Sequence, residues 1–158
     1  MAIFTTEVEV TSSLPAAKLF KAARDFDTLV PKVDPQSFKA INTIEGDGGV
    51  GSIKVVTYGD GVPYTHSKHI MDAIDIENLS YKFTVFEGDA LLGIIDSAVH
   101  HVKFVPSADG GSVYNHTSVF NCKPDAQLTE ANLNMAKESF INTFKAIEAY
   151  VIANPKAY

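Results

Sequence analysis

The chain has 158 residues, enough for one domain, 1–158, with a sizeable core. Lys and Arg number 13 against 19 Asp and Glu, a net charge of −6, and Arg24 is the only arginine. Nucleic-acid backbones and anionic membrane surfaces are held by clustered Lys and Arg, so neither is an expected partner of this chain, and 46% hydrophobic with 20% charged residues argues against a disordered chain.

Residues 3–11, IFTTEVEVT, alternate, with Phe4, Thr6, Val8 and Val10 on one face of a half-buried strand. SSLPAAKLFKAARDF then predicts a short helix with Ser12 or Ser13 as N-cap and Pro15 in its first turn. FDTLVPKV predicts a second short helix, stopped by Pro31 and Pro35. From 38 to 122 the period is mostly two. Strands are predicted near 38–45, 52–58, 64–74, 79–87, 95–105 and 112–121, separated by GDGG, GDG, IEN, GDALLG and ADGG, which makes an antiparallel meander. From Thr129 the period changes to three and four, through Leu133, Ala136, Phe140, Phe144, Ile147 and Val151. That predicts one helix of about 25 residues, roughly 37 Å long, which would cross the whole sheet.

The N-terminal MAIFTTEVEVTSSLPAA lacks the basic and apolar regions of a secretory signal, and no apolar run has membrane-spanning length. Cys122 is the single cysteine, which fits a reducing compartment. The expectation is a cytoplasmic protein without a membrane partner.

EGDGGVGSIK at 45–54 holds Gly46, Gly48, Gly49 and Gly51, and three of them spell G-x-G-x-x-G. A phosphate-binding P-loop needs Lys and Ser or Thr after the last glycine, and a dinucleotide fingerprint needs a helix to start there. Ser52 and Ile53 follow instead, leading into a β-branched strand. The loop is read as a tight strand-to-strand turn whose glycines supply positive φ.

These elements and LPAAKLFKA at 14–22, VPKVDPQ at 30–36, FEGDALLG at 86–93, VPSADGGS at 105–112 and FKAIEAYVIANP at 144–155 carry a resemblance over essentially the whole chain. It resembles the plant pathogenesis-related proteins of class ten, the family of the birch major pollen allergen. The resemblance implies an α+β helix-grip fold: a seven-stranded curved antiparallel sheet wrapped around the long C-terminal helix, two short helices in a V, and a large internal cavity. It also implies a monomer that binds a small amphipathic plant metabolite or hormone, such as a flavonoid or cytokinin, as carrier, store or sensor. Two other readings accompany it: an enzyme in the same cavity (a weak ribonuclease, or a metabolite cyclase or condensing enzyme), and an abscisic-acid-type receptor that inhibits a phosphatase. SSLPAA at 12–17 has the letters of that receptor's gate but precedes a helix, so it is set aside.

Alternation then assigns the walls. Lys54, Val56 and Tyr58 share one face, as do Tyr81, Phe83 and Val85; Ala98, His100, Val102 and Phe104; and Tyr114, His116, Ser118 and Phe120. The 64–70 strand offers Tyr64, His66, and His69 if a bulge shifts its parity. So many polar groups on inner faces suit a wet cavity better than a dry core, where each unpaired group costs roughly 1–3 kcal/mol. The long helix would add Ala136, Lys137, Ser139, Phe140 and Thr143. His66, His100 and His116 invite a zinc reading, but their spacing carries no metal signature, and neither metal nor cofactor is expected. By resemblance, Lys54, Asp96, Glu148 and Tyr150 match the ribonuclease positions discussed for the family. Asp96 stands where glutamate is common, and an ion pair of Lys54 with Glu148 is the simpler expectation. Ala23 and Val30 stand where larger aromatics are frequent, which would widen the entrance.

Overall fold

The structure is a computed structural model that describes residues 2–158. The elements run β1 (Ala2–Ser12), α1 (Ala16–Arg24), α2 (Phe26–Val33), β2 (Phe38–Glu45), β3 (Ile53–Tyr58), β4 (His66–Asp75), β5 (Ser80–Glu87), a 3₁₀ turn (Asp89–Leu91), β6 (Ile95–Pro106), β7 (Ser112–Cys122) and α3 (Glu130–Ala153). All seven strands form one antiparallel sheet in the order β1-β7-β6-β5-β4-β3-β2. From β2 to β7 this is the meander expected from the turn residues. β1 joins at the far edge beside β7, with Val8 opposite His116.

Three local expectations are corrected. Pro15, not Ser12 or Ser13, holds the N-cap position of α1. Ser12 is the buried last residue of β1, and its Oγ accepts from the Leu14 N–H at 3.1 Å. Pro31 lies inside α2, which continues to Val33. In so short a helix the proline forfeits one backbone bond, and burial of Leu29 and Val30 outweighs it. The bulge near His69 falls on β5: Lys68 pairs with Glu87 and His69 with Val85, so Phe86 is the extra residue. The parity of β4 is therefore unbroken there.

Gly88, at φ 119°, lets the chain leave β5 across the start of β4; a Cβ there would lie 2.6 Å from Ser67 Cα. This crossing brings Asp89 to Thr65 and His66. Its carboxylate accepts from the Thr65 N–H at 2.9 Å, the Thr65 hydroxyl at 2.7 Å and the His66 N–H at 2.9 Å.

The start of α3 is a capping box: Thr129 Oγ1 accepts from the Asn132 N–H and Asn132 Oδ1 from the Thr129 N–H, each at 3.1 Å. Thr129→Ala is expected to cost about 1 kcal/mol in a urea titration. No change would mean that packing alone sets the helix start. The buried residues of α3 are Thr143, Phe144, Ile147 and Val151, all in its second half. Phe144 packs with Leu19, Phe20, Phe104 and Tyr114, Ile147 and Val151 pack with Leu29 and Val30, and the Thr143 hydroxyl donates to Asp34 Oδ2 at 3.1 Å. A third cluster, around Leu91, Ile95, Phe120 and Leu128, closes the opposite end. Between these clusters the first half of α3 spans a hollow.

Candidate ligand-binding cavity

The hollow has two lobes that share Tyr58, Tyr64, Val85, His100, Ser139 and Phe140. The larger, about 200 Å³, runs from Gly48, Lys54 and Asp27 beside α2 to Phe104 and Tyr114 beside α1. The smaller, about 180 Å³, lies under the first half of α3 against Leu91, Leu92 and Leu128. Together they reach the lower part of the ~300–1,000 Å³ range of small-molecule sites.

Of the residues expected from alternation, Tyr58, His69, Tyr81, Phe83, Val85, His100, Val102, Tyr114 and His116 line the larger lobe, with Ser139, Phe140 and Thr143 of α3. Phe120 and Ala136 line the smaller. His66 and Lys137 line neither. Because β4 keeps its parity, Ser67 and His69 face in, and the His66 ring lies outside, half exposed, with Nδ1 3.5 Å from Asp89. The three histidines of the zinc reading therefore do not converge. Lys137 is turned away from the row Ala136, Ser139, Phe140, Thr143 that α3 presents at helical spacing.

The polar groups of the cavity form two chains. In one, the Tyr58 hydroxyl meets Ser67 Oγ at 2.8 Å, and Ser67 Oγ meets His69 Nε2 at 2.8 Å. In the other, the Tyr114 hydroxyl meets His116 Nδ1 at 2.6 Å, His116 Nε2 meets His100 Nδ1 at 3.0 Å, and Ser118 Oγ lies 2.9 Å from that same Nδ1. Aromatic rings clamp the imidazoles. Phe83 is stacked between His69 and His100, with ring centroids at 5.3 and 4.8 Å, and Phe140 stacks on His116 at 4.0 Å.

Burial disfavours the charged form of each histidine. It lowers His69 to about 4, with the Lys54 charge adding to the effect, and His116 to about 3. His100 is pushed well below the ordinary range by burial, then by the neighbouring His116 and His69. Burial likewise pushes the phenols of Tyr58, Tyr81 and Tyr114 upward. The wall is thus neutral, aromatic and rich in hydrogen-bonding groups. Its charged side chains are Lys54, whose Nζ pairs with Asp27 Oδ1 at 2.7 Å, and Arg24.

Asp27, not Glu148, is therefore the partner of Lys54, and the four ribonuclease positions are not gathered. Tyr150 accepts from Lys32 at the α2 end of α3. Asp96 is exposed beside Ile95, which packs against Leu128 at the other end of that helix. Sequence reasoning missed Arg24, Phe26, Asp27 and Met71, which line the larger lobe. Only the docking of α1 and α2 against the sheet brings the helical ones there.

In the glycine loop, Gly46, Gly48 and Gly51 have φ of 86°, 96° and 87°. Its amides are spent within the fold: Gly48 N–H donates to Ser52 Oγ, Gly49 N–H to Asp47 Oδ1, and Gly51 N–H to Met71 O. Gly48 touches the larger lobe; Gly46, Gly49 and Gly51 do not.

The family described as the pathogenesis-related protein Bet v 1 family matches residues 1–154. A root allergen protein of Taraxacum officinale is 60% identical over 152 residues, covering 96% of this chain and 97% of its own. The crystal structure of Ara h 8.0201 is similar with a TM-score of 0.84 at 37% identity, covering 96% of this chain and 99% of its own. Norcoclaurine synthase from Thalictrum flavum, solved with dopamine and hydroxybenzaldehyde, has a TM-score of 0.76 at 19% identity, covering 96% and 88%, a likeness of fold alone.

Proposed function

The chain belongs to the pathogenesis-related protein Bet v 1 family, and from that membership we propose that it is a plant defence protein that binds one small, neutral, amphipathic metabolite or hormone in the two-lobed cavity, as carrier, store or sensor. The observation that supports this most is the wall itself: paired hydrogen-bonding chains set among stacked rings, with every buried histidine neutral. Burying about 300 Å² of apolar ligand at ~25 cal/mol/Å² supplies roughly 7 kcal/mol. Lost ligand freedom offsets several kcal/mol of that. Micromolar affinity, about −8 kcal/mol, then depends on hydrogen bonds from Tyr58, His69, Tyr81, His100 or Tyr114. Those groups choose among ligands of similar size.

A melting-temperature screen with flavonoids, cytokinins, abscisic acid, fatty acids and alkaloid precursors tests the reading. A ligand at a hundred times its Kd adds about 2.7 kcal/mol, a rise of roughly 5–10 °C for a domain of this size. The rise is expected to vanish in Tyr81→Ala and in His100→Leu. No rise with any compound at saturation would sink the binding reading.

A further inference from the structure

The Tyr114–His116–His100 chain does more than satisfy buried polar atoms. Consider its protons. The 3.0 Å contact between His116 Nε2 and His100 Nδ1 requires a single proton between them. With none, two lone pairs face each other; with two, the N–H groups collide. The 2.6 Å contact between the Tyr114 hydroxyl and His116 Nδ1 obeys the same count. Burial keeps both imidazoles neutral, with one proton each.

Two arrangements satisfy all of this. In the first, Tyr114 donates to His116 Nδ1, His116 Nε2–H donates to His100 Nδ1, and His100 carries its own proton on Nε2. The cavity is then offered a donor at His100 and a bare acceptor oxygen at Tyr114. In the second, every hydrogen bond is reversed: His100 Nδ1–H donates to His116 Nε2, and His116 Nδ1–H donates to the Tyr114 oxygen. The cavity then meets an acceptor at His100 Nε2 and a donor at Tyr114. Ser118 Oγ lies 2.9 Å from the same His100 Nδ1 and shares its one proton or lone pair with His116 in a three-centre bond, accepting in the second arrangement and donating in the first, so it favours neither. The rings are held by Phe83 and Phe140, so the order changes without turning rings: each proton moves one hydrogen bond along the chain, one leaves His100 Nε2 for water or ligand in the cavity, and one is taken up from the cavity by the Tyr114 oxygen.

Tyr114 and His100 both line the larger lobe, and His100 Nε2 has no hydrogen-bond partner among the described residues. We propose that this chain is a recognition element with coupled ends, which selects a ligand carrying a hydrogen-bond donor for one end and an acceptor for the other, in either orientation. A neutral aromatic with one hydroxyl and one carbonyl fits; a ligand with acceptors alone leaves acceptor facing acceptor at one end. The inference rests on the cavity reading above and names the chemical class it takes.

Two measurements test it. The first needs no ligand: nitrogen-15 NMR of the imidazoles in the free protein at pH 7.5. His100 and His116 are expected to share one tautomer, both Nε2–H or both Nδ1–H. Opposite tautomers, or a doubly protonated ring, would overturn the proposal. The second compares 6-hydroxy-2-acetylnaphthalene with its methyl ether, an otherwise similar probe with acceptors only. The hydroxyl form is expected to bind the natural protein about tenfold more tightly, since a buried unpaired polar group carries a penalty of that order. In His116→Phe the ends are uncoupled, both can donate, and the ratio is expected to fall to about threefold or less. Tight binding of both probes to the natural protein would leave the cavity reading standing and overturn the selection rule. Binding of neither, with unmoved imidazole signals, would overturn the rule and count against the cavity reading too. A His116→Phe protein that fails to fold leaves the tautomer measurement and the natural protein's binding ratio to decide.

Discussion

Phe144→Ala is expected to destabilise the protein by about 3–4 kcal/mol. Phe144 is 3% exposed and lies parallel to the Tyr114 ring, with centroids 4.5 Å apart. It sits where the second half of α3 meets the sheet, in the cluster that also holds Val8, Phe20 and Phe104. Truncation removes the transfer energy of the ring and the contacts of its neighbours, while the better helix propensity of alanine returns only about 0.5 kcal/mol. The site lies beside a hollow, so the walls have little reason to collapse into the new space. Urea unfolding reads the change directly. Ile152→Ala, exposed near the end of α3 and outside both lobes, is the comparison and should stay within about 0.5 kcal/mol. A loss below about 1 kcal/mol at Phe144 would mean that α3 is held mainly elsewhere.

Acid should weaken the fold more than its carboxylates alone would. His69 titrates at about 4 and His116 at about 3 in the folded state, against about 6.5 in the unfolded chain. Their folded values are depressed, so below pH 6.5 the unfolded state binds more protons. The stability they contribute is fully present above about 6.5 and is lost as the pH falls toward the folded values. Each loses about 2 kcal/mol between pH 7.5 and pH 5, so the two together lose about 4 kcal/mol. His100 is displaced in the same direction by burial and by its histidine neighbours, and adds to the loss. Against a usual total of about 5–15 kcal/mol, that is a large fraction. Urea titrations at pH 7.5 and pH 5 should show it, and His116→Phe should reduce the difference by about 2 kcal/mol. Equal acid sensitivity in that variant would mean His116 is solvated or already charged.

The cavity walls were partly legible from alternation. Tyr81, Phe83 and Val85 on one strand, and His100 and Val102 on the next, face the hollow because side chains alternate across a pleated strand. The same rule misplaced His66, since its face depended on which strand carried the bulge, and the bulge belongs to β5. Lys54 was visible as an inward lysine, but its partner Asp27 comes from α2, whose docking no local pattern encodes.

By itself the sequence determined where most strands, helices and turns lie. Those properties depend on periods of two or about 3.6 residues and on residues that permit or forbid particular backbone angles, all of them local. Tertiary structure alone decided that β1 closes against β7, that the core divides into three clusters around a hollow, and that His100, His116 and Tyr114 join through their ring nitrogens and a phenol. His100 and His116 lie on neighbouring strands, 16 residues apart in the chain. Whether their nitrogens meet depends on the register between strands and on the rings of Phe83 and Phe140 that hold them, and long-range packing sets both.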